Sequence, residues 1–203
     1  MIARLLPAAG LFLFVGVGVI WRTWLHWRRY GTSGFALFQS GHWAQNLRDG
    51  LSVLLVVALG AQAVVAAINP ASLDRMQLVP PYPLLMWSGA ALMLCGTALM
   101  AAAQLDLGAS WRIGIEEGAR PGLVANGLYR FCRNPIFLAM LTALLGFLLL
   151  MPTVLSVIAV AATFFGVRRQ VHQEEAYLLR TYGSAYAAYA AQVGRFFPGV
   201  GRL

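Results

Sequence analysis

The chain has 203 residues, of which 60% are hydrophobic and 11% charged. A soluble domain carries roughly a quarter charged residues, so this chain cannot clothe a water-facing surface of ordinary size and reads as an integral membrane protein. The net charge of +8 would point to nucleic acid in a soluble protein. Here the basic residues, all arginine, flank apolar segments, which makes membrane lipid headgroups the natural partner and nucleic acid an unsuitable one.

Five apolar segments follow one another. The first runs from about Leu5 to Trp24 and continues into Leu25-His26-Trp27-Arg28-Arg29. A cleaved signal peptide is its alternative reading, but no small-residue cleavage site follows the apolar run, so a retained span is expected. Trp21, Trp24 and Trp27 suit an interfacial belt. The stretch from Tyr30 to Gly50 mixes Phe35, Phe38 and Trp43 with polar residues; it reads equally as a loop or as a segment lying along the headgroups. The second segment, Leu51 to Ile68, is uncharged. The third runs from about Tyr82 to Leu105. The fourth and fifth, about Ile136–Leu150 and Thr153–Val167, form a hairpin broken at Met151-Pro152, where proline removes a backbone donor and disfavours helix at the residue before it. Each arm is short and needs its flanking turns to span.

Charge sets an orientation. Arg28, Arg29 and Arg48 follow segment one; Arg112, Arg120, Arg130 and Arg133 follow segment three; Arg168, Arg169, Arg180, Arg195 and Arg202 follow segment five. The other side has only Arg4 and Arg75. The positive-inside rule then puts the N-terminus outside, the C-terminus in the cytoplasm, and both informative polar clusters on the cytoplasmic side.

The first cluster is Gly127-Leu-Tyr129 through Arg133-Asn134-Pro135-Ile136-Phe137. Asn134 suits an N-cap and Pro135 a first helical position. A helix start also offers free amides and a positive dipole end to a carboxylate or phosphate, and Arg133 beside it adds a bidentate fork. The preceding loop, Gly118 to Tyr129, is punctuated by glycine and proline and can present backbone groups to a polar ligand. The second cluster is Arg168-Arg169-Gln170-Val171-His172-Gln173-Glu174-Glu175, on a continuation of the fifth segment's helix. His172 lies three residues from Glu175 and four from Arg168, spacings that share a helical face. Two adjacent acids among only seven in the chain could hold ribose hydroxyls or an ammonium group, or simply end a solvated helix. Tyr182, Tyr186 and Tyr189 are spaced to stack on one face, most simply for packing.

Other chemistries lack their residues. There is no Gly-x-Ser-x-Gly, His-Glu-x-x-His, Walker loop or Gly-x-Gly-x-x-Gly. His26, His42 and His172 are too scattered for a metal site, and Cys95 and Cys132 have neither metal-ligand spacing nor an expected disulfide. Acids within the spans, as a proton-coupled transporter needs, are missing; Asp106 lies only at the end of segment three.

Taken together, Ala109-Ser-Trp-Arg-Ile-Gly114, Leu123-Val124, Gly127-Leu-Tyr129, Arg133-Asn134-Pro135-Ile136-Phe137, the hairpin, Glu174-Glu175-Ala-Tyr-Leu178, and Tyr182-Gly183-x-x-Tyr186-x-x-Tyr189 ending in Arg195-Phe-Phe-Pro198 resemble the isoprenylcysteine carboxyl methyltransferase family and its bacterial relatives. The resemblance covers about Gly108 to Pro198. It implies an all-α integral membrane methyltransferase using S-adenosylmethionine, a single domain with generic helices over 1–105 and a cofactor-binding half over 106–203. By the same resemblance Leu123, Val124, Tyr129, Asn134, Pro135, Phe137 and Glu174 or Glu175 would contact the cofactor. Arg133 and Asn134 would serve the reaction, and Arg168 or Arg169 would meet a lipophilic, isoprenylcysteine-like or lipid-linked substrate, with Gln170 competing for that register. No metal is implied. The family usually has His where this chain has Asn134 and Tyr where it has Phe137. A sterol-reductase-like membrane enzyme using NADPH and a non-enzymatic membrane protein are the competing readings.

Overall fold

The structure, a computed structural model, describes residues 4–39, 41–80, 82–113 and 122–202. Helix α1 (Leu6–Val15), a π-helical stretch (Gly16–Trp21) and α2 (Arg22–Tyr30) join into one 25-residue apolar helix. The π stretch coincides with a contact from another helix. Gln104 Nε2 donates to the Gly18 carbonyl at 2.8 Å, so a side chain from another helix enters the backbone ladder. Gly31, in the left-handed region at φ 74°, ends α2.

Helix α3 (Trp43–Ile68) absorbs part of the mixed stretch after Tyr30, so that stretch is helical from Trp43 onward and a loop only before it. The short α4 (Pro70–Met76) leads to α5 (Pro83–Leu107), whose end runs through Gly108 into a 3-10 turn, Gly108–Ser110. A second 3-10 turn, Gly127–Arg130, precedes α6 (Pro135–Leu150). Helix α7 (Val154–Tyr182) carries the fifth apolar segment and the acidic pair on one continuous helix, and α8 (Ser184–Gln192) follows. Among the described residues there is no β-strand, only isolated bridges.

Among the described residues, four helices are long and apolar enough to cross a membrane: Leu6–Tyr30, Trp43–Ile68, Pro83–Ser110 and Val154–Tyr182. Helix α6, with 16 residues, is about 24 Å long at ~1.5 Å per residue. That is shorter than a hydrocarbon core of about 30 Å. The five expected segments are therefore four long helices and one shorter one. The hairpin turn falls where proline placed it, with Thr153 Oγ1 accepting the Ser156 N–H at 3.2 Å to start α7.

α6 is held tightly against α5 by small residues. A Cβ on Gly96 would lie 2.6 Å from the Ala143 nitrogen, and one on Gly146 would lie 2.6 Å from the Met93 nitrogen. Such close backbone approach replaces the hydrophobic driving force that is missing between helices in lipid. The buried apolar cluster joins Leu11, Leu59, Ala63, Met93, Phe147 and Ala159 from α1, α3, α5, α6 and α7. Many large apolar side chains on the outside stay exposed, among them Leu54, Leu84, Trp87 and Phe165, as lipid-facing surfaces require. Chain direction brings the turns after α2, α5 and α7, and the start of α6, to one end of the bundle.

Candidate functional site

At that end, residues 132–134 run extended and pair with the chain beyond α8. Cys132 and Gly194 form a parallel bridge, the Arg133 N–H donates to the Gly194 carbonyl at 2.9 Å, and the Asn134 N–H donates to the Arg195 carbonyl at 3.2 Å. The same pairing redirects the Asn134 side chain. Asn134 is the N-cap residue of α6 with Pro135 next to it, but its amide donates to the Arg195 carbonyl at 3.1 Å and caps no helix N–H. The first amides of α6 are thus left without a side-chain cap.

The two polar clusters meet across 42 residues. Arg133, with its side chain 2% exposed, is paired with Glu175 at 2.9 Å. All five of its N–H donors are engaged. Nε and Nη2 reach Glu175 Oε1; Nη1 reaches the Ala190 and Val193 carbonyls; Nη2 also reaches the Gly201 carbonyl. Glu175 is equally occupied, because Arg195 grips both of its oxygens, with Nη2 at 2.7 Å from Oε2. The hydrogen bonds of Glu175 hold the Arg195 guanidinium above its ordinary pKa. The result is an Arg133–Glu175–Arg195 cluster, its first two members buried and Arg195 half-buried, that ties α6, α7 and the segment after α8 together. His172 is exposed and plays no part in it; Glu175 finds its partners on other elements, not on its own helical face.

Glu174 differs from its neighbour. It is half-buried, Oε1 accepts from Gln170 Nε2 at 3.0 Å, and among the described residues Oε2 makes no hydrogen bond. Tyr129, on the Gly127–Arg130 turn, is buried with Glu174 close by: burial and then the Glu174 charge push its hydroxyl well above the ordinary tyrosine range. It stays a neutral donor at any physiological pH. The Tyr129 carbonyl accepts the Tyr189 hydroxyl at 2.6 Å.

Two further contacts shape this turn. Asp106 at the end of α5 accepts the Leu128 N–H at 2.7 Å, and any Cβ on Gly127, at φ 55°, would collide with the Asp106 carboxylate. Tyr182 accepts the Gly122 N–H at 3.0 Å, fastening the start of the described loop to the end of α7. Leu123 and Val124 follow it, half-buried, as is Phe137 on the first turn of α6; Pro135 is buried. Arg168 and Arg169 are exposed on α7, and among the described residues neither makes an ion pair. Residues 114–121, which include Gly114 and the start of the glycine-bearing loop, lie outside the described residues.

The three tyrosines do not share one helical face. Gly183, at φ 53°, separates Tyr182 on α7 from Tyr186 and Tyr189 on α8, whose ring centroids are 6.1 Å apart. Tyr186 is buried beside the ion cluster, and burial pushes its hydroxyl up to about 12. Burial also raises the Cys132 thiol, which keeps it in the unreactive protonated form. No group of three or more His, Cys, Asp or Glu among the described residues could hold a metal ion.

Residues 84–185, half of the chain, match the family model for phospholipid methyltransferases. The chain belongs to the phospholipid methyltransferase family. This family includes the isoprenylcysteine carboxyl methyltransferase-like membrane enzymes, and its members are methyltransferases set in apolar helices. The match takes in nearly all of α5, the Gly127–Arg130 turn, α6 and α7, so the elements it spans are those that carry Tyr129, Arg133 and Glu174. The chain has no match among curated proteins. Sequence reasoning singled out Arg133 and both glutamates but passed over Asp106, Arg195 and Tyr189 as site builders. Asp106 was visible as an acid at the end of an apolar helix; the contacts of Arg195 and Tyr189 cross 20 and 60 residues and leave no local pattern.

Proposed function

We propose that the chain is an S-adenosylmethionine-dependent membrane methyltransferase whose acceptor is a carboxylate, or similar nucleophile, on a lipophilic, isoprenylcysteine-like or lipid-linked substrate. The observation that carries this reading is the contrast between the two glutamates. Glu175 is consumed by two arginines, whereas Glu174 keeps one oxygen open beside the buried Tyr129 ring.

The residues present fit the cofactor. Glu174 would take ribose hydroxyls or the cofactor's ammonium group. Tyr129 and Phe137 would offer rings, and Leu123 and Val124 apolar contact. The uncapped first amides of α6 would receive a carboxylate, the dipole end adding to their pull. Asn134 directs its amide to Arg195 and so contributes through position. Arg133 and Glu175 are assigned a positioning role, since neither has a hydrogen-bonding atom left for a ligand. Arg168 and Arg169, exposed on the adjoining stretch of α7, are assigned to the substrate's anionic group.

When bound, S-adenosylmethionine supplies a methyl group on a positively charged sulfur, which an acceptor displaces directly. A carboxylate acceptor is already ionised at neutral pH and needs no general base. What the protein must supply is alignment, and a scaffold locked by a saturated ion cluster suits that task. The arginine-rich end of the bundle is assigned to the cytoplasm, which in a bacterial inner membrane puts the N-terminus outside and the cofactor site beside the cytoplasmic headgroups. Membrane extracts incubated with methyl-labelled cofactor and the purified protein, followed by mass spectrometry, test the reading. A labelled lipophilic ester is the expected product. Labelling of water-soluble material alone, or none at all, would contradict it.

A further inference from the structure

The connection between α2 and α3 does not simply cross over their ends. His26 Nδ1–H donates to the Thr32 carbonyl at 2.8 Å, which draws Thr32 back along α2. Gly34 packs on the Trp111 ring, whose centroid lies 4.6 Å from the Arg22 Cζ. The Ala36 N–H donates to the Ile113 carbonyl and the Ile113 N–H to the Gly34 carbonyl, both at 2.8 Å. Phe35 stands across a groove of about 440 Å³ from Ile20, Thr23 and Trp24. On the other side, the Phe38 N–H donates to Asp49 Oδ2 at 3.0 Å, inside α3. At ~1.5 Å per residue, Arg22 lies about 12 Å from the end of α2 at Tyr30, and Asp49 about 9 Å from the start of α3 at Trp43. The segment therefore folds back along both helices by about two turns.

This course holds two aromatic rings outward. Phe35 is 42% exposed and Phe38 50%. Phe38 is the one non-glycine at positive φ, 63°, among the described residues, a conformation that a bulky side chain keeps only where its surroundings impose it. A polar network imposes it. Asp49 spends Oδ2 on the Phe38 N–H and Oδ1 on Gln45 Nε2 at 2.8 Å, and Gln45 Oε1 accepts from Arg48 Nη2. Asp49 and Gln45 are buried. The backbone is satisfied as well. The N–H groups of Phe35, Ala36, Phe38 and Gln39 donate to Ser33 Oγ, the Ile113 carbonyl, Asp49 and the Ala36 carbonyl. Irregular chain needs such partners wherever it approaches lipid.

We infer that residues 31–39 form a re-entrant membrane anchor, with Phe35 and Phe38 set into the boundary between lipid headgroups and acyl chains and Asp49 as the clamp that holds Phe38 there. Lipid is the partner because the segment joins two helices long and apolar enough to cross a membrane, and it folds back toward their middles. Phe35 faces Ile20 and Trp24, both exposed on the outside of the first helix. The level agrees too. Asp49 stands just before the uncharged run that begins at Leu51, and the exposed Arg28 and Arg29 lie nearer the helix end, where headgroups belong. Aromatic rings are favoured between those two levels, as the exposed Trp24, Trp27 and Trp43 also indicate. Such an anchor is independent of methyl transfer.

The test is spin labelling of the full chain in nanodiscs of phosphatidylcholine and phosphatidylglycerol, with Cys95 and Cys132 replaced by alanine. Labels go on Phe35→Cys and Phe38→Cys, with Arg28→Cys as the headgroup reference and the exposed Val57→Cys as the acyl reference. Asp49 holds the Phe38 backbone, so its bond survives the cysteine. Power saturation compares collisions with oxygen, which enriches in lipid, and with a water-soluble nickel chelate. The ratio of oxygen to chelate collisions at Phe35 and Phe38 should fall between those at Arg28 and Val57. Asp49→Ala should shift the Phe38 label toward water and leave the Phe35 label, paired through Ala36 to Ile113, in place. If Asp49→Ala fails to fold by circular dichroism, the ratios with Asp49 intact decide. Labels at Phe35 and Phe38 as open to the chelate as Arg28 overturn the proposal. So does protection from both reagents, which would assign the rings to a second copy or another protein. A Phe38 label unmoved in folded Asp49→Ala overturns the clamp.

Discussion

Two buried arginines in this molecule live under opposite terms. Arg133 has a carboxylate partner and a hydrogen bond on every N–H, whereas Arg22 rests on two carbonyls and an indole ring and leaves Nη1 unmatched. Both are drawn from water, so both carry a desolvation cost that only pairing or ligation offsets. The Arg133 cluster is saturated and acts as scaffold; at the Arg22 node Nη1 of Arg22 and Oε1 of Gln104 are buried without a hydrogen-bond partner. Glu175 and Glu174 repeat the contrast one residue apart, the first saturated and the second with an oxygen to spare.

The largest effect is expected from opening the Arg133–Glu175–Arg195 cluster. Glu175→Ala leaves two guanidinium groups facing an empty site, and Arg133→Ala leaves a buried carboxylate half-paired. Removing one member of a buried pair costs about 3–5 kcal/mol. Both variants should show a large fall in thermal midpoint in detergent, with Arg133→Ala also loosening the segment after α8, to be read by limited proteolysis. A midpoint unchanged in both would mean that the cluster is not a scaffold.

A smaller effect is expected at Gly127. Alanine there combines a positive φ with a collision against the Asp106 carboxylate, and overpacking of this kind costs about 1–3 kcal/mol. The turn that carries Tyr129 should shift, so cofactor affinity should fall along with stability. Asp106→Gly in the Gly127→Ala background should recover part of the loss by removing the obstructing carboxylate.

Glu174→Gln should behave differently from any change at Glu175. It keeps the shape and loses the charge, so unfolding should move little. Loss of a charge-assisted hydrogen bond, about 1.5–3 kcal/mol, should nonetheless weaken cofactor binding by about tenfold or more. Smallest of all is Arg168→Gln with Arg169→Gln. Exposed residues of this kind change stability by no more than about 0.5 kcal/mol. Any effect should appear in the Michaelis constant for the lipophilic substrate and not in the thermal midpoint.

Much of the helical frame was legible in the chain because its signals are local. The uncharged run up to Ile68 stops before Pro70, Met151-Pro152 breaks the hairpin, and the acids at 174 and 175 lie on the same helix as the apolar residues before them. The meeting of the Arg133 and Glu175 segments was legible as well, from two charged clusters flanking one hairpin. What periodicity does not encode is which partner a side chain selects. Asn134 reads as a helix cap, yet strand-like pairing with the chain after α8 turns its amide to Arg195. Three tyrosines spaced four and three apart read as one face, yet Gly183 breaks the helix between them. Arg22 sits inside the first apolar run, where its meaning depends on Gln104, Gly108 and Trp111, more than 80 residues away.

On the proposed function, the end of the bundle carrying Tyr129 and Glu174 binds S-adenosylmethionine. Calorimetric titration of the purified protein with S-adenosylmethionine, S-adenosylhomocysteine and NADPH tests it most directly, with Glu174→Gln measured alongside. Binding of the first two at one site per chain, weakened by about tenfold or more in Glu174→Gln, is the expected result. Binding of NADPH alone, or S-adenosylmethionine affinity that Glu174→Gln leaves untouched, would contradict the account.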